Sequence, residues 1–362
     1  MSRISCHLPL RYFLSYAVVL AATIFIGAHA NATNQTSQLS ELLQDAVAKR
    51  SFSGAVLVTE NDIVLLKGGY GMANVELQVP NTPATKFRIG SVTKQFTAMA
   101  VLILAEQGKL KLDDRVVDLL PGLPRAWADI RVYQLLNHTS GIMHSWEIPG
   151  FTKKVMTPWP LNSMIDEIKD RPLLFRPGTD VHYSGIGYFL LARIVERVSG
   201  QTYEIFLKDA IFDPLGMKDT GGDSDLPIIP GRAAGYVHMD GQLQNAPFIY
   251  MPNLTGGGNL YSTVEDLARW DHALTTGRLI SSRSYEKMFT AGREGFGYGW
   301  KISQVGGHTV IEHSGGVNGF AAHIRRVPDR KIGIFILSND EATGHYLTAM
   351  AEEIERIVLE DN

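Results

Sequence analysis

The chain has 362 residues, 45% hydrophobic and 20% charged, with 34 Lys and Arg against 37 Asp and Glu and a net charge of −3. These proportions are ordinary for a soluble globular protein, and no basic patch argues for nucleic acid. The length exceeds what a single core usually fills, so two lobes are expected.

Residues 1–30 read as a signal peptide. Arg3, His7 and Arg11 give a basic start, Phe13 to Gly27 is apolar apart from Ser15, Tyr16 and Thr23, and Ala28-His29-Ala30 has the small-x-small form of a cleavage site. The apolar run is short for a membrane span. The expectation is a mature chain from near Asn31, periplasmic or secreted, with no membrane span after cleavage. Cys6, the only cysteine, lies inside the leader, so the mature chain has neither disulfide nor zinc-thiolate site.

Asn31 to Ser40 is polar and reads as a tether, and Leu39 to Arg50 has helical spacing with Leu42, Leu43 and Val47 on one side. Ser53–Thr59 and Ile63–Lys67 form a predicted hairpin across Glu60-Asn61-Asp62. No glycine or proline interrupts Ser91 to Gln107, and Gly108 follows, which predicts one long helix with a glycine stop. Val92, Phe96, Met99 and Ile103 form one face, and Val101, Leu102 and Leu104 cover much of the rest, so this helix belongs in a core. Ser91, Lys94, Gln95 and Ala98 share the remaining face. A buried ammonium there must find a partner or lose its proton. Either way it can act on the hydroxyl one turn away. The spacing alone is weak, because Ser284 and Lys287 repeat it.

Val132 to Asn137 reads as a short helix, and Ile142 to Pro160 as a surface loop framing a cleft. Leu161 to Lys169 is helical. Ser184 caps a helix running to Ser199-Gly200, and Tyr203 to Ile211 is a helix stopped by Asp213-Pro214-Leu215-Gly216. Gly221 to Gly258 is loop-rich. Thr263–Leu274, Ser282–Phe289 and Thr343–Leu359 are predicted helices, and Tyr298–Gln304, Thr309–His313, Phe320–Val327 and Ile332–Leu337 predicted strands. Strands at both ends most simply pair into one antiparallel sheet. The expected fold is therefore α+β: an antiparallel sheet of N- and C-terminal strands flanked by helices, plus a mostly helical lobe. Residues 31–108 and 290–362 would form the sheet lobe and 109–289 the helical one.

Beside Ser91-Val92-Thr93-Lys94 stand Tyr183-Ser184-Gly185, at a helix start, and His313-Ser314-Gly315, at the end of a predicted strand. In this order, with Leu136-Asn137-His138-Thr139-Ser140-Gly141, Pro214-Leu215-Gly216-Met217 and Gly257 to Thr263 as flanks, the chain resembles the serine β-lactamase-related, penicillin-binding-protein-like family. That family includes class C β-lactamases, D-alanyl-D-alanine carboxypeptidases and related esterases and aminopeptidases. The resemblance spans about Gly54 to Asn339 and implies the β-lactamase/transpeptidase-like fold.

It also implies roles. Ser91 would be the nucleophile forming an acyl-enzyme, with Lys94 and Tyr183 sharing the proton traffic; which of them takes the proton stays open. The backbone N–H groups of Ser91 and Gly316 would hold the oxyanion. His313, Ser314 and Gly315 would contact substrate, small residues at 315 and 316 admitting a substrate backbone to the strand edge. Lys94 and His313 are the candidate cations that could lower the Tyr183 phenol.

Two positions depart from the family. Gly185 replaces an asparagine that contacts substrate or the lysine, and His313 replaces the lysine of β-lactamases. Both favour a peptidase or esterase over a β-lactamase. The expected activity is that of an exported serine hydrolase on a cell-wall D-amino-acid peptide, an ester or, less favoured, a β-lactam; a penicillin-binding-like sensor or scaffold is the competing class. No cofactor is called for, and the histidines show no metal-ligand spacing. His138 and His182 are expected to hydrogen-bond loops.

Overall fold

The computed structural model describes residues 35–49 and 52–360 of the protein. The leader read in residues 1–30 lies outside them. Residues 35–40, read as tether, begin a helix instead: α1 covers residues 35–48. Leu39 and Leu43 on it are fully buried, and Gln35 Nε2 donates to the Val358 carbonyl at 3.3 Å. The docking partner, helix α5 (Leu347–Glu360), lies at the other end of the chain, so no local pattern announces that these polar residues are helical.

The predicted hairpin is present as β1 (Gly54–Glu60) and β2 (Ile63–Tyr70). Asn61 and Asp62 between them have φ of +50° and +65°. Both central residues of a two-residue turn that follows the strand twist need this left-handed backbone, and Asn and Asp tolerate it. The C-terminal strands are β3 (Lys301–Val305), β4 (His308–Val317), β5 (Phe320–Val327) and β6 (Ile332–Ser338). They join the hairpin in a six-stranded antiparallel sheet of order β3-β4-β5-β6-β1-β2, closed by the β1–β6 register from Gly54↔Ser338 to Glu60↔Ile332.

Strand alternation sorts the two faces of this sheet. Val56, Val58, Ile334 and Ile336 face α1 and α5, whereas Ala55, Leu57, Phe335 and Leu337 join the larger core of the helices between the strand blocks. Every residue of β6 is buried, which explains why Ile332–Leu337 reads as an apolar run rather than an alternation.

The predicted central helix is α2 (Thr93–Glu106), entered through a 3₁₀ turn at Gly90–Val92. All residues from Thr93 to Leu104 are buried, and Gly108 at φ +70° supplies the stop. Beside it lies α3 (Gly185–Ser199), begun where Ser184 Oγ accepts from Gly187 N at 3.2 Å and ended by Gly200 at φ +77°. Helix α4 (Val264–Thr276) is capped by Thr263 Oγ1, which accepts from Asp266 N at 3.1 Å. The helix predicted to stop before Asp213-Pro214 continues as a wider-turned segment and a last turn, Asp213–Leu215, ending at Gly216 with φ +68°. Pro214 falls in the first turn of that last segment, where a missing N–H costs little.

Helix α5 is tied to the sheet by Arg325 of β5, 2% exposed, whose guanidinium donates to Glu355 and, at 2.5 Å, to Glu312. Removing one partner leaves a buried charge short of compensation. Glu355→Ala is expected to cost about 3–5 kcal/mol of unfolding free energy, read by urea denaturation; a loss under about 1 kcal/mol, the range of surface pairs, contradicts the buried pairing.

Candidate active site

Ser91 sits in the 3₁₀ turn and Lys94 in the first turn of α2. Lys94 is 2% exposed, and its Nζ donates to Ser91 Oγ at 3.0 Å and to the Gly257 carbonyl at 2.7 Å. The rings of Tyr183 and Tyr188 lie 4.9 and 5.5 Å from the nitrogen. No carboxylate pairs with it among the described residues. Burial without a counter-charge penalises the ammonium and pushes the amine down to about 7. Ser284 and Lys287 show the contrast: Ser284 Oγ donates at 2.5 Å to Glu106, in an exposed setting.

Tyr183 precedes the Ser184 cap, so the start of α3 aims it at Ser91. Burial raises its phenol above the ordinary value, and a hydrogen bond with Ser91 offsets this in part. Its ring lies 4.4 Å from His138 and 6.2 Å from His313 between centroids. His313 is 8% exposed, and its Nδ1 donates to the Ser314 carbonyl at 2.5 Å. Burial first, and the nearby Lys94 second, push the imidazole down to about 3. The expectation that His313 could serve as a cation beside Tyr183 is therefore corrected: it is neutral. An amine near 7 can take up a proton at neutral pH, whereas burial keeps the proton on the Tyr183 phenol.

Strand β4 does not end at His313 as read but runs through Val317. Its pairing with β3 stops at Lys301↔Glu312, leaving 313–317 unpaired on that side, next to the Ser91 turn. Close approach fixes two glycines here. A Cβ on Gly315 would stand 2.0 Å from the Ile89 carbonyl oxygen and 3.0 Å from Ser91 N, and one on Gly90, at φ +49°, 2.7 Å from Gly316 N. The small residue at 315 thus permits contact with the turn that carries Ser91, and it also lines the cleft. Gly316 has open space where its side chain would be.

Ser314 pairs with His323 and Glu312 with Arg325, the residue bonded to α5, so Ser314 faces the α5 side and His313 the Ser91 side. Both sides border the cleft. Ser91, Lys94, Tyr183 and residues 313–316 line one cavity of about 780 Å³ that wraps the free edge of β4 and reaches Thr348 of α5.

The sequence left Gly257 without a role. Its carbonyl is the second acceptor for Lys94, and the approach needs Gly256 and Gly257, whose Cβ atoms would stand 2.5 Å from Ala192 and Phe189 side-chain atoms. The usable signal was the buried lysine itself, which requires an acceptor. The Ile142–Pro160 segment does frame the cleft, through His144, Ser145, Trp146 and Phe151. His138 Nδ1 accepts from Ser184 N at 3.1 Å, and His182 Nε2 lies 3.1 Å from Glu147, the loop roles expected of them.

A sheet of terminal strands over a buried Ser-x-x-Lys helix defines the β-lactamase/transpeptidase-like class. The family model for Beta-lactamase matches residues 39–359, and the chain belongs to that family; it is a β-lactamase-family hydrolase. Penicillin-binding protein 4* of Bacillus subtilis (strain 168) is 30% identical over 354 residues, covering 90% of this chain and 76% of that protein. The D-aminopeptidase of Gluconobacter oxydans (strain 621H) is 26% identical, with 82% of this chain and 57% of that protein covered. The octameric penicillin-binding protein homologue from Pyrococcus abyssi superposes with a TM-score of 0.77 at 30% identity, over 88% of this chain and 77% of its own. Among the described residues no helix is long and apolar enough to cross a membrane.

The lowered Lys94 value has a consequence for stability. The unfolded chain holds that proton up to 10.5, the folded one only to about 7, so the folded state is favoured progressively as pH rises between them. The stability advantage of Lys94→Met over wild type should be largest at pH 7 and below, then shrink by at most about 1.4 kcal/mol per pH unit. Urea denaturation of both proteins from pH 6 to 9 measures it; a flat difference contradicts the lowered pKa.

Proposed function

We propose that the protein is a serine hydrolase that cleaves an ester or amide through an acyl-enzyme at Ser91. The observation that carries this is the Lys94 amine, near neutral in pKa, 3.0 Å from the Ser91 hydroxyl. Hydroxyls need such a neighbour to attack at neutral pH. As Ser91 Oγ bonds to the carbonyl carbon, its proton passes to Lys94. The oxyanion forms beside the N–H groups of Ser91 and Gly316, at the unpaired stretch of β4. The Tyr183 phenol, neutral and bonded to Ser91, passes a proton to the leaving oxygen or nitrogen and is reprotonated from Lys94. Water then repeats the sequence on the acyl-enzyme, releasing the acid and restoring Ser91.

The neutral His313 brings no charge to this edge, which supports amide and ester substrates without a carboxylate beside the scissile bond. Similarity to the D-aminopeptidase of Gluconobacter oxydans supports D-amino-acid peptides as the natural class. Lys301, whose ammonium lies 4.3 Å from the Phe296 ring on the cleft wall, favours a second reading in which a carboxylated peptide or β-lactam binds. The leader pattern of residues 1–30 supports export to the periplasm or beyond.

Fluorophosphonate and fluorescent penicillin labelling of wild type and Ser91→Ala tests the nucleophile, and if neither reagent marks Ser91 the acyl-enzyme reading fails. An aryl ester, a D-alanyl dipeptide and nitrocefin then rank the substrate classes. The free amine is the active form, so kcat/KM should rise with pH through about 7. Lys94→Met should lower it by about 10²–10⁴-fold.

A further inference from the structure

The cleft wall facing β4 carries a donor that the reaction above does not use. His144 is 8% exposed and lines the cavity. Its Nδ1 accepts from Trp146 N at 3.2 Å. A backbone N–H can only donate, so Nδ1 carries no proton, and in the neutral ring Nε2 must carry it. Neutrality follows from burial, which with Lys94 and His182 nearby pushes the imidazole down to about 3. The ring is fixed between Trp146, stacked at 3.8 Å and 16°, and Tyr183, near-parallel at 5.6 Å and 12°. No described group accepts from Nε2. The result is an oriented, uncharged N–H at the cavity wall, beside the ring that is bonded to Ser91.

Position 185 explains how the ring comes to be there. A Cβ on Gly185 would meet Ser145 Oγ at 3.1 Å and His144 Cε1 and Nε2 at 3.2 and 3.4 Å. The ring edge and the Ser145 hydroxyl thus fill the space into which a side chain at 185 would grow. Any such side chain would displace them or be crowded by them.

We infer that His144 Nε2–H is a specificity donor that binds a second carbonyl oxygen in the acyl half of the substrate, so that N-acylated aminoacyl or peptidyl groups are preferred to plain alkanoyl groups. This rests on the acyl-enzyme reading. The acyl half stays on Ser91 through both steps, and a donor fixed to the wall gains most by contacting the part that stays. A substrate with an amide carbonyl there satisfies Nε2–H; an alkyl chain leaves it unpaired once water is excluded. A free ammonium at the same place would find another donor instead of an acceptor.

The test is the ratio of kcat/KM for N-acetylglycyl and butanoyl esters of one phenol, alongside alkyl fluorophosphonate labelling of Ser91. In His144→Phe, which keeps a stacking ring without the donor, the ratio is expected to fall about tenfold, the worth of one unpaired donor. The double variant His144→Ala/Gly185→Asn, whose amide can grow into the vacated space and donate there, is expected to recover most of it. A ratio is insensitive to the fraction of folded protein, so a merely structural role leaves it unmoved. If Ser91 labels but the ratio in His144→Phe equals that of wild type, the inference about His144 is wrong while the acyl-enzyme stands. Absence of labelling in wild type overturns the acyl-enzyme and this inference with it.

Discussion

An ammonium buried in the core without a counter-charge among the described residues is the constraint around which this protein is built. Lys94 projects from a helix apolar nearly all round, and the surrounding protein answers with a hydroxyl, a backbone carbonyl and two aromatic rings. None of these carries a full negative charge. Hydrogen bonds and ring faces offset part of the desolvation cost, and the fall of the amine to about 7 absorbs the rest. A carboxylate at the same place would keep the proton on nitrogen and leave Ser91 with a cation beside it but no base. The reactivity proposed for Ser91 therefore follows from what the core withholds.

Holding that arrangement requires backbone to approach backbone at several places. The Ser91 turn lies against β4 only because Gly90 and Gly315 lack side chains, and the Gly257 carbonyl reaches Lys94 only because Gly256 and Gly257 clear Ala192 and Phe189. These contacts join segments far apart in the chain. β4 is itself held by a sheet that the N-terminal hairpin completes through the β1–β6 register. Until that sheet forms, the unpaired stretch 313–317 has no fixed place beside Ser91. Formation of the cleft is thus tied to long-range pairing, which makes its geometry a property of the whole fold.

What could be read from the sequence divides along the same line. The Asn61-Asp62 turn, the Ser184 cap, and the Gly108 and Gly200 stops are local devices, and each was legible because its cause lies within a few residues. The helix at 35–40 was not, since its reason to form is α5 at the far end of the chain. Lys94 was legible as a problem, a charge on an apolar helix, but its solution at Gly257 was not. Gly315 reads as necessarily small, but its contact with Ile89 and Ser91 was not legible, because the direction of a missing Cβ is visible only once strand and turn are side by side. Alternation alone puts Ser314 on the opposite face from His313 once the strand runs through to Val317.

The two Ser-x-x-Lys sites show what spacing does and does not determine. Both put a hydroxyl and an amine one helical turn apart. At Ser284 the hydroxyl donates to Glu106, and Lys287 lies in the last turn of a helix at the surface, where water solvates its charge. At Ser91 the same geometry sits in a helix with no exposed side from Thr93 to Leu104, and the amine is near the point of losing its proton. Helical periodicity fixes the distance between the groups; only burial changes the chemistry of the nitrogen. That is why the surroundings matter to the reading of Ser91: Tyr183, Tyr188 and Gly257 enclose the Lys94 amine, whereas Lys287 in the surface copy is exposed.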